Sequence, residues 1–341
     1  MKDKRPIATL LLLTAILALA ALLSLGVGAV TIPAERVLQI LGSTAVEQDP
    51  STDATIVWDL RLPRILLAGL IGGGLGAAGA GYQGLFRNPL VDPFIIGTSS
   101  GAALGATLAI VAGLRESVLG MGAVSTAALL GALSAVAVAY SIASIGGRVS
   151  IPSLLLAGVA LSSFIGALVS LLIYWSHEKV ITILGWLMGS LSGRGWSVLG
   201  TTTPMVLAGA FVLWLQSRAL DSLAFGEETA ASLGLRLGRL RVIVVVAASL
   251  ATAAGVAAGG IIGFVGLVSP HVARLLVGAR HAILIPASAL LGAFLLVLAD
   301  DLARTIAAPN ELPIGVMTAL LGSPFFLALL NTQGRQMATA P

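Results

Sequence analysis

The sequence predicts an all-α integral membrane protein, and three observations support this fold class. Of the 341 residues, 57% are hydrophobic and only 10% are charged, whereas soluble domains usually carry about 25% charged residues. The apolar residues form long runs, which favour helices over the short alternating strands of a membrane barrel. The chain's 41 glycines are concentrated within these runs, as in helices that pack closely in lipid.

Ten apolar runs are interpreted as membrane-spanning helices of a single transmembrane domain, residues 1–341. The first run is longer than the roughly 7 to 15 apolar residues of a signal peptide, so we expect a retained helix rather than a cleaved signal. The ten predicted spans lie near residues 7–30, 65–86, 93–113, 118–143, 153–175, 202–217, 242–257, 260–269, 282–299 and 312–330. We expect residues 176–201, rich in Gly and Trp, to form an excursion on the outer face.

The count of ten depends on residues 242–269, where glycines interrupt one long apolar stretch. Two spans here place more basic residues on the cytoplasmic side than one span does, as the positive-inside rule requires. Both termini are then cytoplasmic, and twelve of the 19 Lys and Arg lie inside: Lys2, Lys4, Arg5, Arg87, Arg148, Arg218, Arg236, Arg239, Arg241, Arg274, Arg280 and Arg335.

Several classes of function are disfavoured by the composition. The chain has no cysteine, so disulfides and thiolate sites are excluded. The net charge is +4, but the basic residues are scattered between apolar runs and form no basic stripe. We therefore expect the chain to be surrounded by membrane lipid and to bind no nucleic acid. We find no catalytic set at membrane depth and expect no metal site, since His177 and Glu178 lack the second His that a zinc helix needs.

Asp300 and Asp301 allow two interpretations. A buried carboxylate pair could couple transport to protons or sodium, which would make the chain a secondary transporter. Alternatively, the two acids end the ninth span near the outer surface and pair with the neighbouring Arg304.

Two stretches resemble each other and follow glycine-rich runs, namely residues 84–93 and 263–274. The first follows an even-numbered span and the second an odd-numbered one, so a repeat here would be inverted, as in many transporters. Chance similarity in so biased a composition is the alternative.

Five groups of residues, in order along nearly the whole chain, resemble the FecCD permease family. They are Arg61-Leu-Pro-Arg64, the segment from Gln83 to Pro93, the segment from Gly226 to Gly234, the segment from Gly263 to Arg274, and Glu311-Leu-Pro-Ile-Gly315 with Gly322-Ser-Pro-Phe-Phe326. The resemblance implies the type II permease fold of an ATP-binding-cassette (ABC) importer, in a bacterial or archaeal cytoplasmic membrane.

The same resemblance implies the partners and the cargo. A second permease copy or a sister permease, two cytoplasmic ATPase subunits and an outer binding protein would complete the importer. The ATPases would bind ATP and Mg²⁺, and no cofactor is expected in this chain, since Lys2, Lys4 and Lys179 lie outside any glycine-rich phosphate loop. The implied cargo is a bulky metal chelate, with iron–siderophore first, then haem or vitamin B12.

The resemblance also assigns three groups of site residues. Arg61, Arg64 and Arg304 match the pocket that docks the binding protein, although arginines anchoring helix ends to lipid headgroups are an alternative. Asn88, Pro89 and Leu90 match an inner constriction, to which Ser150 and Ile151 contribute; a plain turn is the alternative. Within the cytoplasmic loop 218–241, an ATPase coupling helix is implied, or else an ordinary solvated helix: Gly226, Glu227, Glu228, Ala230, Ala231, Leu233 and Gly234.

Overall fold

The computed structural model describes residues 5–42, 51–114, 117–118, 121–145 and 150–338. Within these ranges the regular structure is helical apart from one two-residue hairpin, in which β1 (Ser117–Val118) pairs antiparallel with β2 (Met121–Gly122). The helices are α1 (Arg5–Gly26), α2 (Ala34–Gly42), α3 (Thr52–Thr55), α4 (Leu62–Phe86), α5 (Thr98–Ala112), α6 (Ala123–Ala143), α7 (Ile151–Trp175), α8 (Val180–Leu187), α9 (Trp196–Leu215), α10 (Ser217–Leu223), α11 (Glu227–Ser232), α12 (Leu237–Gly259), α13 (Val265–Val277), α14 (His281–Thr305) and α15 (Ile314–Ala338).

Seven of the helical stretches are long and apolar enough to cross a membrane, namely those that contain α1, α4, α6, α7, α9, α12 and α14. Three shorter apolar helices, α5, α13 and the stretch Ile314–Ala328 of α15, accompany them. The ten apolar helices of the described residues follow the order of the ten predicted spans.

The eighth apolar helix lies further along the chain than the predicted span 260–269. Residues 260–264 form an irregular connection, because Gly260 and Phe264 both have positive φ angles, of 77° and 67°. Helical backbone requires negative φ, so α13 begins only at Val265 and continues to Val277. The predicted span 93–113 is shortened in the same way, since Gly97 has a φ of 95° and α5 begins at Thr98.

The second apolar helix begins earlier than the predicted span 65–86. Helical backbone starts at Thr52, where the Ser51 side chain accepts a hydrogen bond from the Ala54 amide. A π-helical segment, Ile56–Arg61, joins α3 to α4, and the Leu62 amide donates to the Val57 carbonyl. This wider turn accommodates Pro63, which would disrupt a regular helix interior.

Helix α4 occupies the centre of the fold and packs against α9, α12, α13 and α14. Its glycines allow this contact: a Cβ added at Gly76 would collide with the Ser288 carbonyl of α14, and one added at Gly79 with the Gly266 carbonyl of α13. The glycine strip of α4 is thus used for close packing within the subunit. Contacts between Gly266 and Pro93 join the two stretches of the predicted inverted repeat, which stays a prediction.

The two ends of the α4–α14 pair carry different side chains. We call the end that contains Arg61, Arg64 and Arg304 the arginine end, and the end that contains α10, α11 and the connection 87–97 the α11 end. Each end has its own cluster of buried apolar side chains.

Candidate functional site

Arg61, Arg64 and Arg304 come together at the arginine end, as the sequence predicted. Arg61 and Arg64 lie at the start of α4, and Arg304 lies in the last turn of α14. The three residues are buried, with exposed fractions of 6%, 9% and 5%. Burying a guanidinium is costly unless its donors are paired, so the partners of each arginine decide what this site can do.

Arg64 is held by two acids from distant parts of the chain. Its Nε and Nη2 atoms donate to Asp300 at 3.0 and 2.8 Å, and its Nη1 atom donates to Glu311 at 2.7 Å. Asp300 is 1% exposed. Because both partners of the Arg64–Asp300 pair are buried, removal of either would leave an uncompensated charge in the protein interior.

Arg304 and Arg61 attach α14 and α4 to the end of α1. Arg304 pairs with Asp301, and its Nη2 atom donates to the Ser24 hydroxyl at 2.8 Å. Arg61 donates to the main-chain carbonyls of Leu25, at 2.6 Å, and Val30. The alternative pairing of Asp300 and Asp301 with an arginine, weighed from the sequence, is the one the structure shows.

A cavity of about 370 Å³ opens beside this cluster. Its lining includes Arg61, Arg64 and Arg304, together with Glu311 and a further arginine, Arg194. Burial alone would raise the pKa of Glu311, but the hydrogen bond and charge of Arg64 outweigh this effect and hold the pKa below its ordinary value. Glu311 therefore stays ionised and neutralises part of the positive charge in the cavity.

The predicted inner constriction lies at the α11 end, where α4 ends. Arg87 has a φ of 49° and stops the helix. The Asn88 side chain then accepts a hydrogen bond from the Leu90 amide at 2.9 Å, which is a turn typical of Asn. Asn88 and Pro89 are exposed, whereas Leu90 is half-buried. The structure thus shows a turn here, and the constriction stays a prediction.

Ser150 and Ile151 lie at the start of α7, at the same end. The Ser150 hydroxyl accepts a hydrogen bond from the Ser153 amide at 3.1 Å and so caps the helix. Ile151 packs against the same buried cluster as Val91, which follows Leu90. The two predicted parts of the constriction therefore border one buried cluster at the α11 end.

The predicted coupling helix forms α11, with Gly226 before it and Gly234 after it at φ angles of 108° and 86°. Glu227 pairs with Arg241 of α12 at 2.6 Å. Within α11, the Ala230 side chain is buried, while Glu228 and Ala231 are exposed. Leu233 and Phe225 are 72% and 78% exposed. Large apolar side chains so exposed beside a short fixed helix form a surface suited to a protein partner.

A contact between α10 and the start of α14, not expected from the sequence, lies at the α11 end. The Asp221 carboxylate accepts from the His281 amide at 2.8 Å and lies 2.7 Å from His281 Nδ1. His281 begins α14, whose last turn carries Arg304. Asp221 and His281 lie 60 residues apart in the chain, so no local motif relates them.

Glu311 and Arg194 were also not among the predicted site residues. Each lies in a connection rather than in an apolar run, and a charged residue in a connection is usually solvated. Within the described part of the chain, no cluster of three or more His, Asp or Glu could hold a metal ion.

The ten apolar helices, the buried ion pairs at one end and the short exposed helix at the other define a multi-pass α-helical membrane protein of the transporter class. The chain belongs to the FecCD transport family, whose model matches residues 16–332. This membership confirms the resemblance found in the sequence, that of an ABC importer permease.

Individual relatives agree with the family. The chain is 41% identical to the uncharacterised ABC transporter permease protein YvrB of Bacillus subtilis, over 94% of this chain and 92% of that protein. It is 44% identical to the cobalamin import system permease protein BtuC of Halobacterium salinarum, over 83% and 75%. A solved inward-facing structure of a metal-chelate type ABC transporter matches with a TM-score of 0.84 and 36% identity, covering 95% of this chain and 99% of that chain. The predicted fold class is confirmed.

Proposed function

We propose that this chain is the permease subunit of an ABC importer that moves a bulky metal chelate from the outer side of a bacterial or archaeal cytoplasmic membrane into the cytoplasm. A second permease copy or a sister permease would complete the pathway. Two cytoplasmic ATPase subunits would bind ATP and Mg²⁺, and a binding protein would deliver the cargo outside.

The α11 surface is the observation that carries this proposal. Helix α11 is attached to the bundle through the Glu227–Arg241 pair and the buried Ala230. It exposes Ala231, and the exposed side chains of Phe225 and Leu233 flank it. A short attached helix with large apolar side chains exposed just before and just after it can transmit a push from a partner into the bundle. We assign this partner as the ATPase.

The connection 87–97 lies where such a push would arrive. The Arg87 guanidinium lies close to Gly226 at the start of α11, so that the proposed coupling helix and the end of α4 are neighbours. Movement of α11 would therefore reposition Asn88, Pro89 and Leu90, which we propose to close the inner end of the pathway together with Ser150 and Ile151.

The arginine end would receive the binding protein. The proposed docking cavity is lined by Arg61, Arg64 and Arg304. Charge-assisted contacts between arginine and carboxylate would fix the orientation of the docked binding protein and speed its association. Because these arginines are buried and paired, an incoming carboxylate would have to compete with Asp300, Asp301 and Glu311 for them.

The geometry gives little support to an ion-coupled secondary transporter that uses Asp300 and Asp301. Asp300 accepts from Arg64 and also lies 3.4 Å from Arg304 Nε. Asp301 pairs with Arg304 and accepts from the Ser24 hydroxyl at 2.5 Å. Arginine stays protonated at any physiological pH, so protons or sodium would have to displace permanent charges from both carboxylates.

Reconstitution tests the energy source directly. Proteoliposomes that contain the permease, its ATPase and the outer binding protein should take up labelled chelate only when ATP is enclosed. A sodium or proton gradient without ATP should support no uptake. Uptake that follows the ion gradient in the absence of ATP would overturn the proposal in favour of the secondary transporter.

A panel of cargoes tests the substrate class. We rank ferric siderophore first, then haem or vitamin B12, since the similarity to a cobalamin import permease keeps corrinoids among the candidates. Ferric siderophore, haem, cobalamin and molybdate would each be offered to the same vesicles, with uptake and stimulated ATP hydrolysis as readouts. Transport of molybdate alone would contradict the bulky chelate.

A further inference from the structure

The start of α14 is capped by a residue of another helix. Arg280, which precedes α14, makes no side-chain hydrogen bond to the helix start. Instead, the Asp221 carboxylate of α10 accepts from the His281 amide at 2.8 Å and lies 2.7 Å from His281 Nδ1. A carboxylate at the start of a helix satisfies an amide that would otherwise lack a partner, and it interacts favourably with the helix dipole. The two contacts therefore fix α10 against the first turn of α14.

The His281 ring also lies against the last turn of α4. His281 is 6% exposed, and its Nε2 atom has no hydrogen-bond partner among the residues that the structure describes. A Cβ added at Gly84 would collide with this atom, so the imidazole contacts α4 by close packing. Because a close-packed interior is barely compressible and transmits strain, a shift of His281 toward Gly84 would displace the end of α4.

Gly84 lies where the connection 87–97 is attached to α4. Its carbonyl accepts from the Arg87 amide at 3.3 Å, and the Gln83 carbonyl accepts from the Asn88 amide at 3.2 Å. A displacement of the last turn of α4 would therefore move the backbone of Arg87 and Asn88 with it. This backbone leads into the residues that we propose to close the inner end of the pathway.

On its other side, α10 is joined to the proposed coupling helix α11. Leu220 and Leu223 of α10 are buried in the same apolar cluster as Ala230 of α11, and the Gly226 amide donates to the Leu223 carbonyl at 3.0 Å. The Arg87 side chain also lies near Gly226, but Arg87 is exposed and keeps much of its rotamer freedom. The buried contact through α10 is therefore the stiffer of the two.

We propose that Asp221 and His281 are positioning residues of the transport cycle, through which movement of α11 reaches the end of α4 and the connection 87–97. This inference rests on the proposed function, which places the ATPase on α11 and the inner closure in the connection, and it names the contact between them. When the ATPase displaces α11, α10 moves with it. The Asp221 carboxylate then carries the first turn of α14, and the His281 ring pushes on Gly84.

The number of cargo molecules taken up per ATP hydrolysed measures this coupling. The reconstituted importer would be supplied with the compound of the cargo panel that the wild type transports fastest. Asp221→Ala should lower the uptake per ATP about tenfold, within the range typical of coupling between two sites. Asp221→Asn keeps an oxygen that can accept from the His281 amide, so it should recover most of the coupling.

Trp214→Phe is the matched control, since the Trp214 indole donates to the Ala282 carbonyl at 3.1 Å and so attaches the same turn of α14 to α9. It should keep the wild-type uptake per ATP. Melting temperature and the affinity of the ATPase for the permease would be measured for each variant. An equal loss in Trp214→Phe, or weaker ATPase binding by Asp221→Ala, would assign Asp221 a merely structural role and overturn the proposal.

Gly84→Ala tests the same contact from the side of α4, since its methyl group would displace the His281 ring. It should also lower the uptake per ATP, whereas Gly69→Ala, with open space around the added Cβ, should not. Hydrogen exchange in the wild-type complex needs no variant. ATP should change the exchange of α10, the first turn of α14 and the end of α4 together, and a change at the end of α4 without one in the first turn of α14 would contradict the proposal.

The results distinguish this inference from the proposed function. If wild-type vesicles show no ATP-dependent uptake, the importer and the role of Asp221 and His281 both fail. If the wild type transports and both Asp221→Ala and Gly84→Ala keep its uptake per ATP, only the role of the two residues fails.

Discussion

The arginine end and the α11 end use charge in opposite ways. At the arginine end, Arg64 and Arg304 are buried against Asp300, which is buried, and Asp301, which is half-buried. Glu311, the second acid on Arg64, is exposed. At the α11 end, the Glu227–Arg241 pair lies nearer the surface, with exposed side-chain fractions of 38% and 14%. Buried pairs are costly to break, whereas exposed pairs contribute little. The arginine end is therefore built to resist change, and the α11 end to move with a partner.

Among the comparisons between the two ends, breaking one ion pair at each end should give the largest difference in folding stability. Arg64→Gln would leave Asp300 buried without its main partner and should cost about 3–5 kcal/mol of folding free energy. Arg241→Gln should cost about 1 kcal/mol or less, because Glu227 can be solvated once released. The yield of monodisperse protein and its melting temperature in detergent would measure both.

The double variant Arg64→Gln with Asp300→Asn is the control for this comparison. It removes the uncompensated charge, so it should recover much of the stability that Arg64→Gln alone loses. Equal stability of the single and double variants would mean that the buried charge of Asp300 is not the cause of the loss.

The α4–α14 contact joins the two ends and should be the next most sensitive region. Gly76→Ala would force a methyl group against the Ser288 carbonyl and should cost about 1–3 kcal/mol by overpacking. Gly69 lies on the same helix with nothing within 4 Å of an added Cβ, so Gly69→Ala should be neutral or stabilising. Similar melting temperatures for the two variants would argue against a rigid α4–α14 pair.

The α11 end should lose coupling without losing its fold. Ala231→Pro would remove a helical hydrogen bond and distort α11 at a local cost of about 3 kcal/mol, although the exposed Ala231 side chain supports no packing. Transport and stimulated ATP hydrolysis should fall while membrane insertion and melting temperature stay close to those of Ala231→Ser. Normal transport by Ala231→Pro would exclude the coupling role.

The order of the apolar helices and the limits of α11 could be predicted from the sequence because both depend on local signals. Apolar runs mark helices in lipid, and Gly226 and Gly234 bound α11 since glycine tolerates positive φ. The break at Phe264 could not be predicted in this way. A bulky residue at positive φ is unfavourable by itself, and only packing against Gly322 of α15 shows how it is held.

The resemblance assigned the arginines of the candidate site, and the sequence offered Arg304 as the partner of Asp300 and Asp301, but neither indicated the acids that hold Arg64. The resemblance placed Arg61, Arg64 and Arg304 in one pocket. Asp300 lies 236 residues from Arg64, and Glu311 lies 247 residues from it, so no periodicity or local motif relates them. The buried and paired state of these arginines therefore required the packing of α4 against α14.

The smallest expected effect concerns Asp92, which lies in the connection 87–97 and, unlike the acids of the arginine end, has no cation partner in the described part of the chain. Burial raises the pKa of Asp92 to about 6, although the hydrogen bond from the Phe94 amide partly offsets this effect. The folded protein thus binds a proton between about pH 4 and pH 6 that the unfolded chain has released, so stability should fall as pH rises through this window and then level off. Asp92→Asn keeps an oxygen to accept from the Phe94 amide and cannot ionise. Melting temperatures in nanodiscs at about pH 5 and about pH 8 should therefore differ more for the wild type than for Asp92→Asn. An equal pH dependence in the two proteins would show that ionisation of Asp92 does not destabilise the fold. The carboxylates of the α11 end would then be stabilised by their surroundings, like those of the arginine end.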